Sequence, residues 1–161
     1  MSYAVSGLPQ AEFQPLFDLP DAELARRGVK RMTVTAPMGF PCRISLEDRP
    51  VGETVLLLNY EHQPADTPFR SRHAIFVGEQ AGPTRTYAGT LPPVLAARPF
   101  TSLRAFDAEG MMTDGALVRV AELDGAIRRM LDAPDAAYLH AHYPGRGCYA
   151  ARIVRADLAR L

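Results

Sequence analysis

The sequence predicts an α+β fold, with a mainly antiparallel sheet and two or three short helices on it. Three observations predict this. Strand-like runs outnumber helical ones along the chain. The glycine-bearing links "FDAEGMM" and "YPGRGC" join neighbouring runs in the manner of hairpins. Helical patterning interrupts the strands only occasionally, which favours antiparallel pairing over a doubly wound parallel sheet. At 161 residues the chain suits one domain with one substantial core, so residues 1–161 are read as a single domain.

The elements follow in order. "LPDAELARRG" (19–28) has acidic residues in its first turn, arginines in its last and Gly28 at its stop, which predicts a helix. Strands are expected at 31–36 and at 42–46 ("CRISL"). The run 54–60 ("TVLLLNY") is apolar on both alternating faces and should be a central strand. A strand at 73–78, a short helix at 92–98 and strands at 102–107 and 111–118 come next. Val120, Leu123, Ile127, Met130 and Leu131 share one face of a helix predicted over 120–134, which Pro134 ends. Two last strands, 137–143 and 147–154, form a hairpin.

Side-chain alternation predicts that hairpin's register, because residues opposite each other share a face. With His142 opposite Cys148, His140 meets Ala150 and Tyr138 meets Arg152. One face then holds Tyr138, His140, His142, Cys148 and Arg152; the other collects Ala137, Leu139, Ala141, Tyr149, Ala151 and Ile153 for the core. Gly147 is free to take a positive φ in the short connection.

Acidic and basic residues balance at 18 each, which leaves no broad field to attract nucleic acid or a membrane surface. The N-terminal residues lack the pattern of a signal peptide, and the longest apolar run, "VLLL" (55–58), is too short to span a bilayer. Cys42 and Cys148 are two cysteines about a hundred residues apart, read as reduced thiols in a cytoplasmic protein. No phosphate-binding loop, dinucleotide fingerprint, nucleophile elbow, H-E-x-x-H or C-x-x-C pattern is present, and no cofactor is indicated.

All four histidines sit in two windows, "NYEHQPADTPFRSRHAIFV" (59–77) and "LHAHYPGRGCYAARI" (139–153). Three readings of these windows stand side by side. In the first, a small anionic ligand is held by His62, Arg70, Arg72, His73, His140 and Arg152, since arginine suits bidentate capture of a carboxylate or phosphate. Were this site catalytic, Cys148 would be the nucleophile and His142 its base, because a neighbouring imidazolium raises the thiolate fraction. In the second, the protein is a non-catalytic interaction or accessory protein whose polar residues hold loops. In the third, His140-x-His142 shares a metal, with further ligands from His62, His73, Glu61 or Asp66. No metal-ligand spacing is complete within either window, so no metal ligand is assigned. Oligomeric state and the existence of an enzymatic activity are left open.

The strings "GFPCRISLED", "LLLNYEHQPADTPFRSRHAIFV", "LRAFDAEGMM" and "YLHAHYPGRGCYAARI" together resemble the domain of unknown function 1203 family. The resemblance implies a small, single-domain bacterial protein and carries no catalytic role with it.

Overall fold

The computed structural model describes residues 2–157. The chain runs β1 (Tyr3–Ser6), a 3-10 turn (Gln10–Glu12), α1 (Gln14–Phe17), α2 (Asp21–Arg26), β2 (Lys30–Thr33), β3 (Thr54–Gln63) and β4 (Ser71–Gly78). It continues through β5 (Thr86–Ala88), α3 (Pro93–Ala96), β6 (Phe100–Phe106), β7 (Met112–Arg119), α4 (Val120–Asp132), β8 (Tyr138–His142) and β9 (Tyr149–Arg155). Six strands form one antiparallel sheet in the order β5-β1-β9-β8-β6-β7, and β2-β3-β4 form a second. The fold is α+β, as the hairpin links imply, and β3 is central in its sheet. Among the described residues no helix is long and apolar enough to cross a membrane.

The two sheets and α4 make three layers. The apolar face of α4 buries Leu123, Ile127 and Leu131 against Leu103, Leu139, Ala141 and Ile153 of the larger sheet. A second cluster packs Leu56, Leu58, Ile75 and Val77 from β3 and β4 with Phe13, Leu24 of α2, Ile44 and Tyr149 of β9. Alternation explains the division. Opposite pairs Leu56–Val77, Leu58–Ile75 and Tyr60–His73 face inward, while Leu57–Phe76, Asn59–Ala74 and Glu61–Arg72 face outward.

Several sequence expectations need correction. The strand expected over 42–46 is a turn, closed by Leu46 N donating to the Cys42 carbonyl at 3.0 Å, with Leu46 at a φ of 56°. Residues 42–46 are buried on every side. Their backbone is divided among three other segments: Leu8 N donates to Arg43 O, Arg43 N to Phe76 O and Arg85 N to Ile44 O. No single strand partner could satisfy those groups. The strand expected at 31–36 stops at Thr33. The helices expected at 19–28, 92–98 and 120–134 form over 21–26, 93–96 and 120–132, and α1 adds one to the two or three anticipated. Strands β1 and β5 have no counterpart among the expected elements; β5 is only three residues long.

The buried turn makes one glycine indispensable. A Cβ built on Gly7 would lie 2.0 Å from the Ile44 carbonyl oxygen, a backbone atom that cannot swing aside. Gly7→Ala is therefore expected to cost about 3 kcal/mol, at the upper end of ordinary overpacking. Gly145→Ala, where nothing lies within 4 Å, should stay within about 0.5 kcal/mol. Urea midpoints of the two variants check the contrast, and equal midpoints would contradict it.

The β8–β9 hairpin forms with a register two residues from the expected one. His140 stands opposite Arg152, Ala141 opposite Ala151, and a bulge then sets His142 opposite Tyr149. A shift of two preserves face parity, so Tyr138, His140, His142 and Arg152 still share a face. The bulge transfers Tyr149 to that face. Cys148 is displaced to lie across from Tyr143, whose N–H donates to the Cys148 carbonyl. Gly147 adopts a φ of 75° in the connection, as anticipated.

Candidate functional site

The polar face of β8–β9 looks across the intersheet layer at the inner face of β3–β4. That arrangement brings the two histidine windows together. His73 faces inward opposite Tyr60, and a register shift between Glu61 and Gln63 brings His62 into the same space. The His62 ring stacks on His73 on a 4.8 Å centroid separation and on Tyr149, also at 4.8 Å. His140 and His142 approach His62 edge-on at 5.4 and 5.1 Å. One ligating nitrogen each from His62, His73 and His142 lies within 4.8 Å of the other two.

Hydrogen bonding sorts the nitrogens. Neutral imidazole carries one N–H and one lone pair. Nδ1 of His142 lies 2.8 Å from the Gly147 carbonyl, which only accepts, so Nδ1 donates and Nε2 keeps its lone pair. That Nε2 is buried with no hydrogen-bond partner, as are Nδ1 of His62 and Nδ1 of His140. His62 Nε2 and His73 Nδ1 are 2.6 Å apart and share one proton between them.

The electrostatics keep all four rings neutral. Burial, the largest cause, takes the pKa of His62 down to about 4, His142 to about 3 and His140 to about 2. Burial also lowers His73. Arg104 adds to the depression in every case, and no carboxylate opposes it. Cross-strand register explains that influence. His140 sits between Arg104 of β6 and Arg152 of β9, each directly opposite it. Among the described residues Arg104 has no carboxylate partner. A cavity of about 290 Å³, lined by Tyr60, His62, His140, Tyr149 and Arg152, lies against one side of the cluster.

Not every residue singled out in the sequence arrives here. His62, His73, His140, His142 and Arg152 do. Arg70 is exposed and bonded to Glu61 at 2.9 Å, and Arg72 points outward to Asn59 Oδ1 at 2.7 Å. Cys148 lines a different cavity, beside Tyr143 and Arg43, so the cross-strand pairing with His142 that motivated a thiol–imidazole reading is not formed. Sequence reasoning missed Tyr149, which the bulge turns inward, and Arg104, whose place opposite His140 depends on a non-local strand pairing. An arginine inside the otherwise apolar run "SLRAF" was the available signal for Arg104.

No curated protein and no solved structure matches the chain. Residues 39–155 match the family model described as Protein of unknown function (DUF1203). The match takes in well over half of the chain and every residue of the histidine cluster. The protein therefore belongs to the domain of unknown function 1203 family.

Proposed function

We propose that the protein binds a divalent transition-metal ion of the zinc class through His62, His73 and His142, and presents its open coordination position to a small anion. The observation that carries this reading is the buried, unpartnered lone pair on His142 Nε2, whose tautomer is fixed by the bond from Nδ1 to the Gly147 carbonyl. A backbone carbonyl on the far nitrogen is the usual support of a metal-bound imidazole. Three imidazoles with no acidic ligand suit zinc, copper or nickel and do not suit calcium or magnesium. Three protein ligands also leave the fourth tetrahedral position free. Nitrogens each ~2.1 Å from a tetrahedral zinc are roughly 3.4 Å apart, so the His62–His73 pair has to open by less than ~1 Å.

The charge around the cluster supports an anionic fourth ligand. The metal adds two positive charges to a site that already has Arg104 and Arg152 on either side of His140. Hydroxide, carboxylate or phosphate oxygen is the complement that such a field favours. His140, outside the three-nitrogen group, is a polar neighbour of that anion and not a ligand.

Titration with zinc against a chromophoric chelator, on protein freed of its purification tag, tests this. One zinc per chain is expected. His73→Ala, at the least buried of the three ligands, should weaken binding ~100-fold or more, while His140→Gln stays within ~10-fold. Sub-stoichiometric zinc, or unchanged affinity in His73→Ala, would refute the assignment. Loss of affinity in His140→Gln comparable to that in His73→Ala would move the site to the His140-x-His142 pair.

A further inference from the structure

A second cavity, of about 440 Å³, lies outside the histidine cluster, between the hairpin tip, the outward face of β3–β4 and the 39–43 segment. Its walls are mostly apolar and include Pro41, Leu57, Phe76, Pro99 and Phe100. Polar groups interrupt them, Arg146 and Cys148 at the hairpin tip among them, and three bear on what the cavity could hold.

The first is Arg43, only 3% exposed. Its Nε donates to the Tyr149 carbonyl at 2.9 Å and its Nη1 to the Pro41 carbonyl at 2.6 Å. Among the described residues no carboxylate pairs with it. Arginine stays protonated in proteins, so this is a buried positive charge without an anion, an arrangement that desolvation makes costly. The second is the Tyr143 hydroxyl, buried and with no hydrogen-bond partner. The Arg43 and Arg98 guanidiniums both lie over the Tyr143 ring, each 5.3 Å from its centroid. The third is Arg98, and here the contrast is informative. Asp48 takes both its terminal nitrogens, at 2.5 and 2.9 Å. Arg98 is thus neutralised, Arg146 lies exposed at the hairpin tip, and Arg43 is the wall's buried charge without a carboxylate.

We infer that this cavity is a binding site for a small amphipathic anion, its carboxylate-type head held by Arg43 and the Tyr143 hydroxyl and its apolar body against Leu57, Phe76 and Phe100. An apolar cavity of roughly 300–1,000 Å³ with a few convergent polar groups is the general form of a small-molecule site. A singly charged head completes Arg43, and its second oxygen accepts from Tyr143. The site is independent of the metal, since none of the cluster histidines lines it.

Calorimetric titration of the full chain, in chelator, with sodium octanoate and separately with 1-octanol tests the inference. Octanoate should bind once per chain and at least ~10-fold tighter than the alcohol, the difference being the charge-assisted contact. Ala74 is exposed at the cavity wall, so Ala74→Trp fills the space without entering the core and should abolish octanoate binding. Tyr143→Phe should keep the fold and weaken octanoate several-fold while leaving octanol unchanged. Equal affinity for acid and alcohol, unaltered binding in Ala74→Trp, or no saturable binding of octanoate would each overturn the proposal. None of these results depends on zinc, so the two sites fail or succeed separately.

Discussion

Stripped of metal by chelator, the protein should lose at least about 4 kcal/mol of stability between pH 7 and pH 5. His140 and His142 are 1% and 0% exposed and stay neutral in the fold. Burial holds their folded pKa near 2 and 3, whereas an unfolded histidine titrates near ~6.5. Below that value the unfolded chain takes up protons that the folded chain refuses, so stability falls as pH falls. Each such histidine contributes ~1.4 kcal/mol per pH unit, which for two of them over about 1.5 units gives the stated loss. The charged neighbours act in the same direction, since Arg104 and Arg152 flank His140 and repel its proton. Carboxylates do not confuse this window. Hydrogen bonds from arginine hold Glu23, Glu61 and Asp124 below their ordinary values, so their contribution is full above the ordinary carboxylate range and is lost as pH falls through it. Urea midpoints at pH 7, 6 and 5 measure the slope. His140→Gln should lower the slope by about 1.4 kcal/mol per pH unit, and a stability constant to within 1 kcal/mol over this range would contradict the buried neutral pair.

Zinc in thousandfold excess over its dissociation constant should raise the melting temperature by about 8–16 °C. Saturation at that level stabilises the folded state by about 4.1 kcal/mol if the unfolded chain does not bind. For a chain of this size each kcal/mol corresponds to roughly 2–4 °C. The gain arises where the metal-free fold is least satisfied, at the unpartnered Nε2 of His142. His73→Ala should melt near the metal-free wild type and respond little to zinc. Differential scanning calorimetry at pH 7 reads both effects; a shift below about 2 °C, or the same shift in the variant, would count against the site.

How far the sequence carries is visible in the histidine cluster itself. Local patterning placed His140 and His142 on one face and His62 and His73 near the ends of neighbouring strands, because alternation is a property of a single strand. It could not show that those two faces oppose each other, since that depends on how the sheets stack. The hairpin illustrates a finer limit. Parity survived a two-residue register error, so the sorting of Tyr138, His140 and Arg152 held. The bulge beside His142 changed parity from there on, which exchanged Cys148 for Tyr149 at the cluster. The turn at 42–46 escaped notice because its apolar run, buried on every side, reads like a strand when its hydrogen-bond partners are unseen. Arg43, now an anchor of the second cavity, was hidden in the same run.

Strand order has a consequence for how the molecule is made. Ser6 pairs with Arg152, so β1 waits beside an open position for nearly the whole described chain before β9 fills it. During synthesis β1 presents a bare edge, and the six-stranded sheet cannot close until its interior strand has emerged. Pairing across so many residues slows folding and leaves that edge open to other chains meanwhile. The strand that closes the sheet also carries Tyr149 and Arg152, so the nascent polypeptide gains its sheet and its histidine cavity in one late event.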